Sequence, residues 1–159
     1  MLSTLYITSP LMIHNKLTLS IFNFTEGCDS NSYHTLTDDT RRSSHLSGDY
    51  CDKSVIPSYK YSTTSPDWHG ADWYRVGNNR SIATQVDPKH CNTMGSGYLA
   101  SGSHHPEEEG RTTQAKICFN SNYGGSCYWE MQIQIKLCRG FYLYKLPEVP
   151  DCPLRICTP

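Results

Sequence analysis

Cys127-Tyr128-Trp129-Glu130-Met131-Gln132-Ile133-Gln134-Ile135-Lys136-Leu137-Cys138 is the stretch on which the fold turns. Met131, Ile133, Ile135 and Leu137 alternate with Gln132, Gln134 and Lys136. Successive side chains of a strand point to opposite faces, so this pattern predicts a strand with one buried face and one wet face. Arg139-Gly140 supplies the reversal, because glycine adopts positive φ without steric cost. Phe141 to Leu146 follows as a second strand, rich in aromatics and ended by Pro147 and Pro150. Residues 127–146 are therefore expected to form a hairpin. A lone hairpin is marginal in water, so this one must pack against other strands, and Lys116–Phe119 and Trp73–Val76 are the candidates.

Outward from the hairpin, Arg111–Phe119 reads as a strand and Trp73–Val76 as another, with Gly77-Asn78-Asn79 as a turn. Arg80–Val86 is expected as a second short strand. Residues 87–112 read as loop, marked by Asp87-Pro88, Gly95-Ser96-Gly97 and His104-His105-Pro106. Tyr33–Asp39 suits a short helical turn or an irregular loop, and Ser54–Pro66 a surface loop. No internal repeat, heptad or long amphipathic helix is present. The expected fold is mainly β: a single disulfide-stapled antiparallel β domain with long irregular loops and little helix.

A chain of 159 residues has room for one domain and one core. The net charge of −1 comes with no basic stripe, which argues against a nucleic-acid partner. Eight cysteines in a polar chain point to a secreted, disulfide-bonded protein. Zinc sites call for close pairs such as Cys-x-x-Cys, and the shortest gap here, Cys152 to Cys157, is longer. Residues 1–27 are set apart as an N-terminal segment. Its apolar positions Leu2, Leu5, Leu11, Met12, Ile13, Leu17 and Leu19 are interrupted by His14, Asn15 and Lys16. Poor order, a degenerate signal peptide and a truncated start all fit it, and it is too short and polar to insert in a membrane.

Candidate chemistry is sparse. His104, His105 and Glu107–Glu109 have ligand-type side chains but read more simply as a solvated acidic loop, and no metal site is assigned. Calcium at Asp38-Asp39 or at the glutamate run is the one ion to test, although neither matches a spaced oxygen-ligand loop. Met94-Gly95-Ser96-Gly97-Tyr98 lacks the spacing and the following helix of a nucleophile elbow, and Ser103 beside His104 forms no recognisable constellation. No catalytic residue and no cofactor is assigned; a small secreted hydrolase is the weakest alternative. Trp73, Trp129 and Phe141 are expected in the core, and Trp68 is the aromatic expected at the surface. Two sequons, Asn23-Phe24-Thr25 and Asn79-Arg80-Ser81, are candidate glycosylation sites.

The ordered set Cys28, Tyr33, Leu36, Arg42-Ser43, Cys51-Asp52, Trp73-Tyr74-Arg75, Cys91-Asn92-Thr93, His105-Pro106, Glu109-Gly110, Lys116-Ile117-Cys118, Cys127-Tyr128-Trp129, Lys136-Leu137-Cys138, Phe141–Leu146, Cys152 and Cys157 carries a resemblance. It resembles the eight-to-ten-cysteine extracellular domain shared by uromodulin, the pancreatic secretory granule membrane glycoprotein and the liver zona-pellucida-type protein. The resemblance covers residues 28–157, taken as the domain. Spacing alone leaves on the order of a hundred connectivities open. The resemblance implies Cys28–Cys138, Cys51–Cys152, Cys91–Cys157 and Cys118–Cys127. It also implies loss of an extra bridge whose places fall near Gln85-Val86 and at Ser126. The implied function is a secreted, non-catalytic interaction or adhesion module in a larger mosaic with EGF-like or zona-pellucida neighbours, meeting an extracellular protein or glycan. The alternative is a decoy whose N-glycans engage microbial adhesins. The family's glycan site before the His-Pro segment has no sequon here, so that role does not transfer at that position.

Overall fold

The structure is a computed structural model describing residues 27–58, 60–121 and 124–159. In chain order the strands are β1 His34–Leu36, β2 Tyr50–Cys51, β3 Thr63–Thr64, β4 Asp72–Val76, β5 Gly95–Leu99, β6 Thr112–Ser121, β7 Gly125–Cys138, β8 Phe141–Leu146 and β9 Leu154–Ile156. Short 3-10 turns span Asp39–Arg41 and Gly77–Asn79. Among the described residues, seven strands form one sheet in the order β1-β4-β8-β7-β6-β5-β9, and β2 pairs with β3 beside it. The fold is mainly β, as the alternation predicts.

The expected hairpin lies at the centre of the sheet. β7 starts two residues earlier than expected and pairs with β8 from Gln134↔Lys145 to Cys138↔Phe141. The turn uses Gly140 at φ +80°. β6 flanks the hairpin on one side and β4 on the other, through Ala115↔Ile133 and Tyr74↔Tyr144. The register puts Met131, Ile133 and Ile135 on one face with Ala115, Ile117, Phe119, Tyr74 and Tyr144, and all of these are buried. Gln132 is exposed and Gln134 partly exposed on the opposite face.

Four features differ from the sequence expectation. The inner pairings are antiparallel, but β1–β4, β5–β9 and β2–β3 are parallel. The edge strands arrive by long crossovers rather than tight turns, which permits that direction. Gly95–Leu99 is a strand inside the region expected as loop. A Cβ on Gly95 would collide with Leu154 Cδ2, and one on Gly97 would lie 2.6 Å from Phe119 Cε1 and 2.9 Å from the Arg155 carbonyl oxygen. The glycines permit close approach of neighbouring strands. Arg80–Val86 is not a strand. Its Ile82, Ala83 and Val86 are buried, but it bonds singly, with the Ala83 N–H donating to Cys157 O (2.9 Å) and Ala83 O accepting from the Leu99 N–H (2.7 Å). Tyr33–Asp39 holds strand β1 rather than a helical turn, and the surface loop Ser54–Pro66 includes β3.

Trp68 is the clearest correction among the aromatics. It is only 5% exposed, with its ring stacked on Tyr74 at 4.9 Å and 3°. Its loop folds back over the sheet, held by Tyr74, whose hydroxyl donates to Gly70 O (2.7 Å) and accepts from the His69 N–H (2.8 Å). Trp73 and Phe141 are half-buried rather than core, while Trp129 packs against the core from its edge.

Ile135→Asn puts an amide on the closed face of the central strand and should cost about 1–3 kcal/mol beyond the lost apolar burial. Gln134→Asn, one residue away on the other face, should cost well under about 1 kcal/mol. Denaturant unfolding of both variants with disulfides intact checks the register, since a one-residue slip would invert the ranking.

Candidate functional site

β4 ends at Val76, and the chain turns away through Gly77–Asn79. Asn78 and Asn79 take φ +57° and +54°, a left-handed conformation that asparagine tolerates better than most residues. Both are exposed. Arg75 donates through Nη2 to Asn79 Oδ1. A guanidinium has only donors, so the oxygen of the amide must face it and Nδ2 must point away. The same guanidinium lies 4.2 Å from the Phe141 ring centroid. Beside this turn is a groove of about 450 Å³ lined by Arg75, Val76, Asn79, Leu137, Phe141 and Tyr142, among others. Asn23 lies outside the described residues.

The cysteines form four bridges: Cys28–Cys138, Cys51–Cys152, Cys91–Cys157 and Cys118–Cys127. None is left as a thiol. The candidate hydroxyls are also engaged. Ser96 is fully buried; its Oγ accepts from the His90 N–H (2.9 Å) and donates to His90 O (3.2 Å). Ser103 Oγ accepts from the Lys116 N–H (3.1 Å) and donates to Lys116 O (3.4 Å). The two histidines of the His-His-Pro segment part company. His104 is exposed, whereas His105 lies 4.4 Å from the Tyr142 ring with Nε2 2.9 Å from the Tyr144 hydroxyl. Among the described residues, no three histidine, cysteine, aspartate or glutamate side chains converge as metal ligands. Asp38 and Asp39 instead meet cations, Arg155 at 2.6 Å and Arg42 at 3.0 Å.

Residues 74–158, from the middle of β4 past the last cysteine, match the profile of the uromodulin-like eight-cysteine domain. The chain belongs to this family. It is 35% identical to uromodulin of Rattus norvegicus over 132 residues, which is 80% of this chain and 18% of that protein. Uromodulin of Mus musculus is 33% identical over the same shares. The pancreatic secretory granule membrane major glycoprotein GP2 of Rattus norvegicus is 34% identical over 104 residues, 61% of this chain and 19% of that protein. The chain thus spans under a fifth of the length of these relatives. The uromodulin-like domain is extracellular, in keeping with its disulfides.

What the sequence did not reveal in this uromodulin-like domain is a buried cluster of charge. Arg41 and Arg155 are both fully buried. Arg41 grips Asp52 through Nη1 and Nη2 at 2.8 Å each, and Asp67 through Nε (2.9 Å) and Nη2 (2.6 Å). It also donates to Ile156 O at 3.0 Å. Asp52 accepts the Ile156 N–H (2.9 Å), and Asp67 accepts the Asp38 N–H (3.0 Å). Arg155 donates to Asp38 (2.6 Å), Thr40 (2.9 Å) and Cys91 O (3.0 Å). Burial opposes the charge on Arg41, but the adjacent carboxylates outweigh it and hold the guanidinium protonated. Burial likewise pushes the Asp67 carboxyl up, and the hydrogen bonds and charge of Arg41 pull it below its ordinary value. Only the juxtaposed Cys51-Asp52 hinted at this cluster in sequence; nothing in it distinguished buried Arg41 from exposed Arg42.

Arg41→Met leaves two buried carboxylates without their cation and should destabilise the domain by about 3–5 kcal/mol. Arg42→Met removes an exposed pair with Asp39 and should cost no more than about 1 kcal/mol. Urea unfolding of the two variants measures the contrast.

A second outcome concerns pH. Burial against Tyr142 and Tyr144 lowers the His105 pKa from its ordinary 6.5. The unfolded chain therefore binds the proton more readily than the fold does. His105 contributes stability that is intact above about pH 6.5 and is lost as pH falls toward the depressed folded value. His105→Gln should flatten the decline in urea midpoint between neutral pH and pH 5.5, compared with the parent.

Proposed function

We propose that this uromodulin-like domain, residues 28–157, is a non-catalytic extracellular interaction or adhesion module within a larger mosaic protein. The observation carrying this reading is the engagement of its reactive groups. All eight cysteines are in disulfides and the buried Ser96 hydroxyl is bonded in both directions, leaving neither as a free nucleophile. What meets solvent instead is a polar sheet face and the Asn79 turn. The small share of each relative that the chain spans supports its being one piece of a mosaic. Its partner is an extracellular protein or glycan, and EGF-like or zona-pellucida neighbours are the expected flanking modules.

A second reading, a decoy that presents N-glycans to microbial adhesins, is supported by the exposure of Asn79 within its sequon. The pancreatic relative, by its name, is a glycoprotein.

Secretion from glycosylating animal cells tests both readings. Peptide mass spectrometry should find Asn79 modified, and glycosidase treatment should increase electrophoretic mobility. Binding of the glycoform to an immobilised mannose-specific pilus adhesin should disappear in Ser81→Ala if the decoy reading is right. Equal binding by the two proteins rejects it.

A further inference from the structure

The groove beside Asn79 has a definite origin. The β4–β8 ladder ends at Arg75↔Leu143, where β4 turns away while β8 continues back to Phe141. The gap between the diverging strand ends is the groove of about 450 Å³, within the range of about 300–1,000 Å³ usual for small-ligand sites. Leu137 and Tyr142 are cross-strand partners on the core side of the sheet, and both remain half-buried. They form an apolar fringe that the protein's own described residues do not cover.

The polar groups around the fringe are arranged about Asn79. Arg75 holds Oδ1, which limits rotation of the amide and turns Nδ2 away from the guanidinium. Arg80 lies in the same lining, with Nη2 3.5 Å from Asp39 and Nη1 3.4 Å from Pro159 O. A concave site with an apolar fringe, an aromatic ring and a few fixed donors suits a pyranose, whose C–H face is apolar and whose edge is polar.

We propose that this groove seats the carbohydrate attached to Asn79 itself, with the first N-acetylglucosamine lying against Leu137 and Tyr142. The inference rests on the reading that Asn79 is glycosylated. In that transfer Nδ2 forms a bond to the anomeric carbon of a lipid-linked oligosaccharide, the lipid pyrophosphate leaves, and Nδ2 loses one proton. The attached sugar then completes the surface between the β4 turn and the hairpin end. Outer sugars leave the groove for solvent, so the glycan is structural at its root and available for recognition at its tip.

The test starts with the secreted protein, trimmed by an endoglycosidase to a single N-acetylglucosamine. Peptide mass spectrometry comes first, and an unmodified Asn79 overturns both the glycosylation reading and this inference. With the sugar present, the trimmed protein should melt about 2–4 °C above Ser81→Ala, a shift readable for a domain of this size. Tyr142→Ala should abolish that increment when the same two glycoforms are compared in its background. Proton NMR supplies a measurement independent of the variant's folding. The N-acetyl methyl signal of the trimmed parent should lie upfield of the same sugar on an unfolded glycopeptide, shifted by the Tyr142 ring. An occupied Asn79 whose methyl signal sits at the unfolded position overturns the seating while leaving the glycosylation reading intact.

Discussion

Arg41 carries its positive charge at a position without access to water, and it does so because two carboxylates and a backbone carbonyl occupy its donors. Its partners come from separate parts of the chain: Asp52 from the end of β2, Asp67 from the loop before β4, and the Ile156 carbonyl from β9. Asp52 returns a bond to the Ile156 N–H, so the cation and its counterion bracket the same residue of β9. Neutralising any member would strand the others in a region where unpaired charge is costly. The short edge strand β9 is therefore positioned by polar contacts of fixed geometry as much as by its buried Leu154 and Ile156. The irregular N-terminal third is fastened to the sheet through the same contacts.

The central sheet was legible in the sequence because its signals are local. Met131 to Leu137 alternate, Gly140 marks the turn, and both neighbouring strands are rich in β-favouring residues. β5 was not legible because its Gly-Ser-Gly opening is written like a loop. Those glycines answer to Leu154 and Phe119 on adjacent strands, which no window of sequence around position 96 contains. Trp68 was misplaced for a similar reason: the loop around it is polar, and its burial depends on Tyr74. The directions of β1 and β9 depend on crossovers whose paths are tertiary facts.

At the candidate site, the sequon and the turn were visible in sequence, but the groove was not. It exists because two strands part company after Arg75↔Leu143, and the residues that line it come from β4, β7 and β8. The charged cluster was equally hidden, since Arg41 and Arg42 are neighbours of identical type and differ only in which way they face. The 3-10 turn at Asp39–Arg41 sends one inward and leaves the other in water.

Three of the four disulfides interleave over long distances, with partners 110, 101 and 66 residues apart, and the fourth spans only nine. During synthesis, Cys28, Cys51 and Cys91 enter the oxidising lumen well before Cys138, Cys152 and Cys157 exist to receive them. Only Cys118 and Cys127 can find each other while both are still fresh from the ribosome. The early thiols must be kept from wrong partners until the last stretch of the domain emerges, when β8 and β9 arrive almost together with their cysteines. Maturation of this domain thus depends on its final two dozen residues and on the oxidoreductases that guard the nascent chain until they appear.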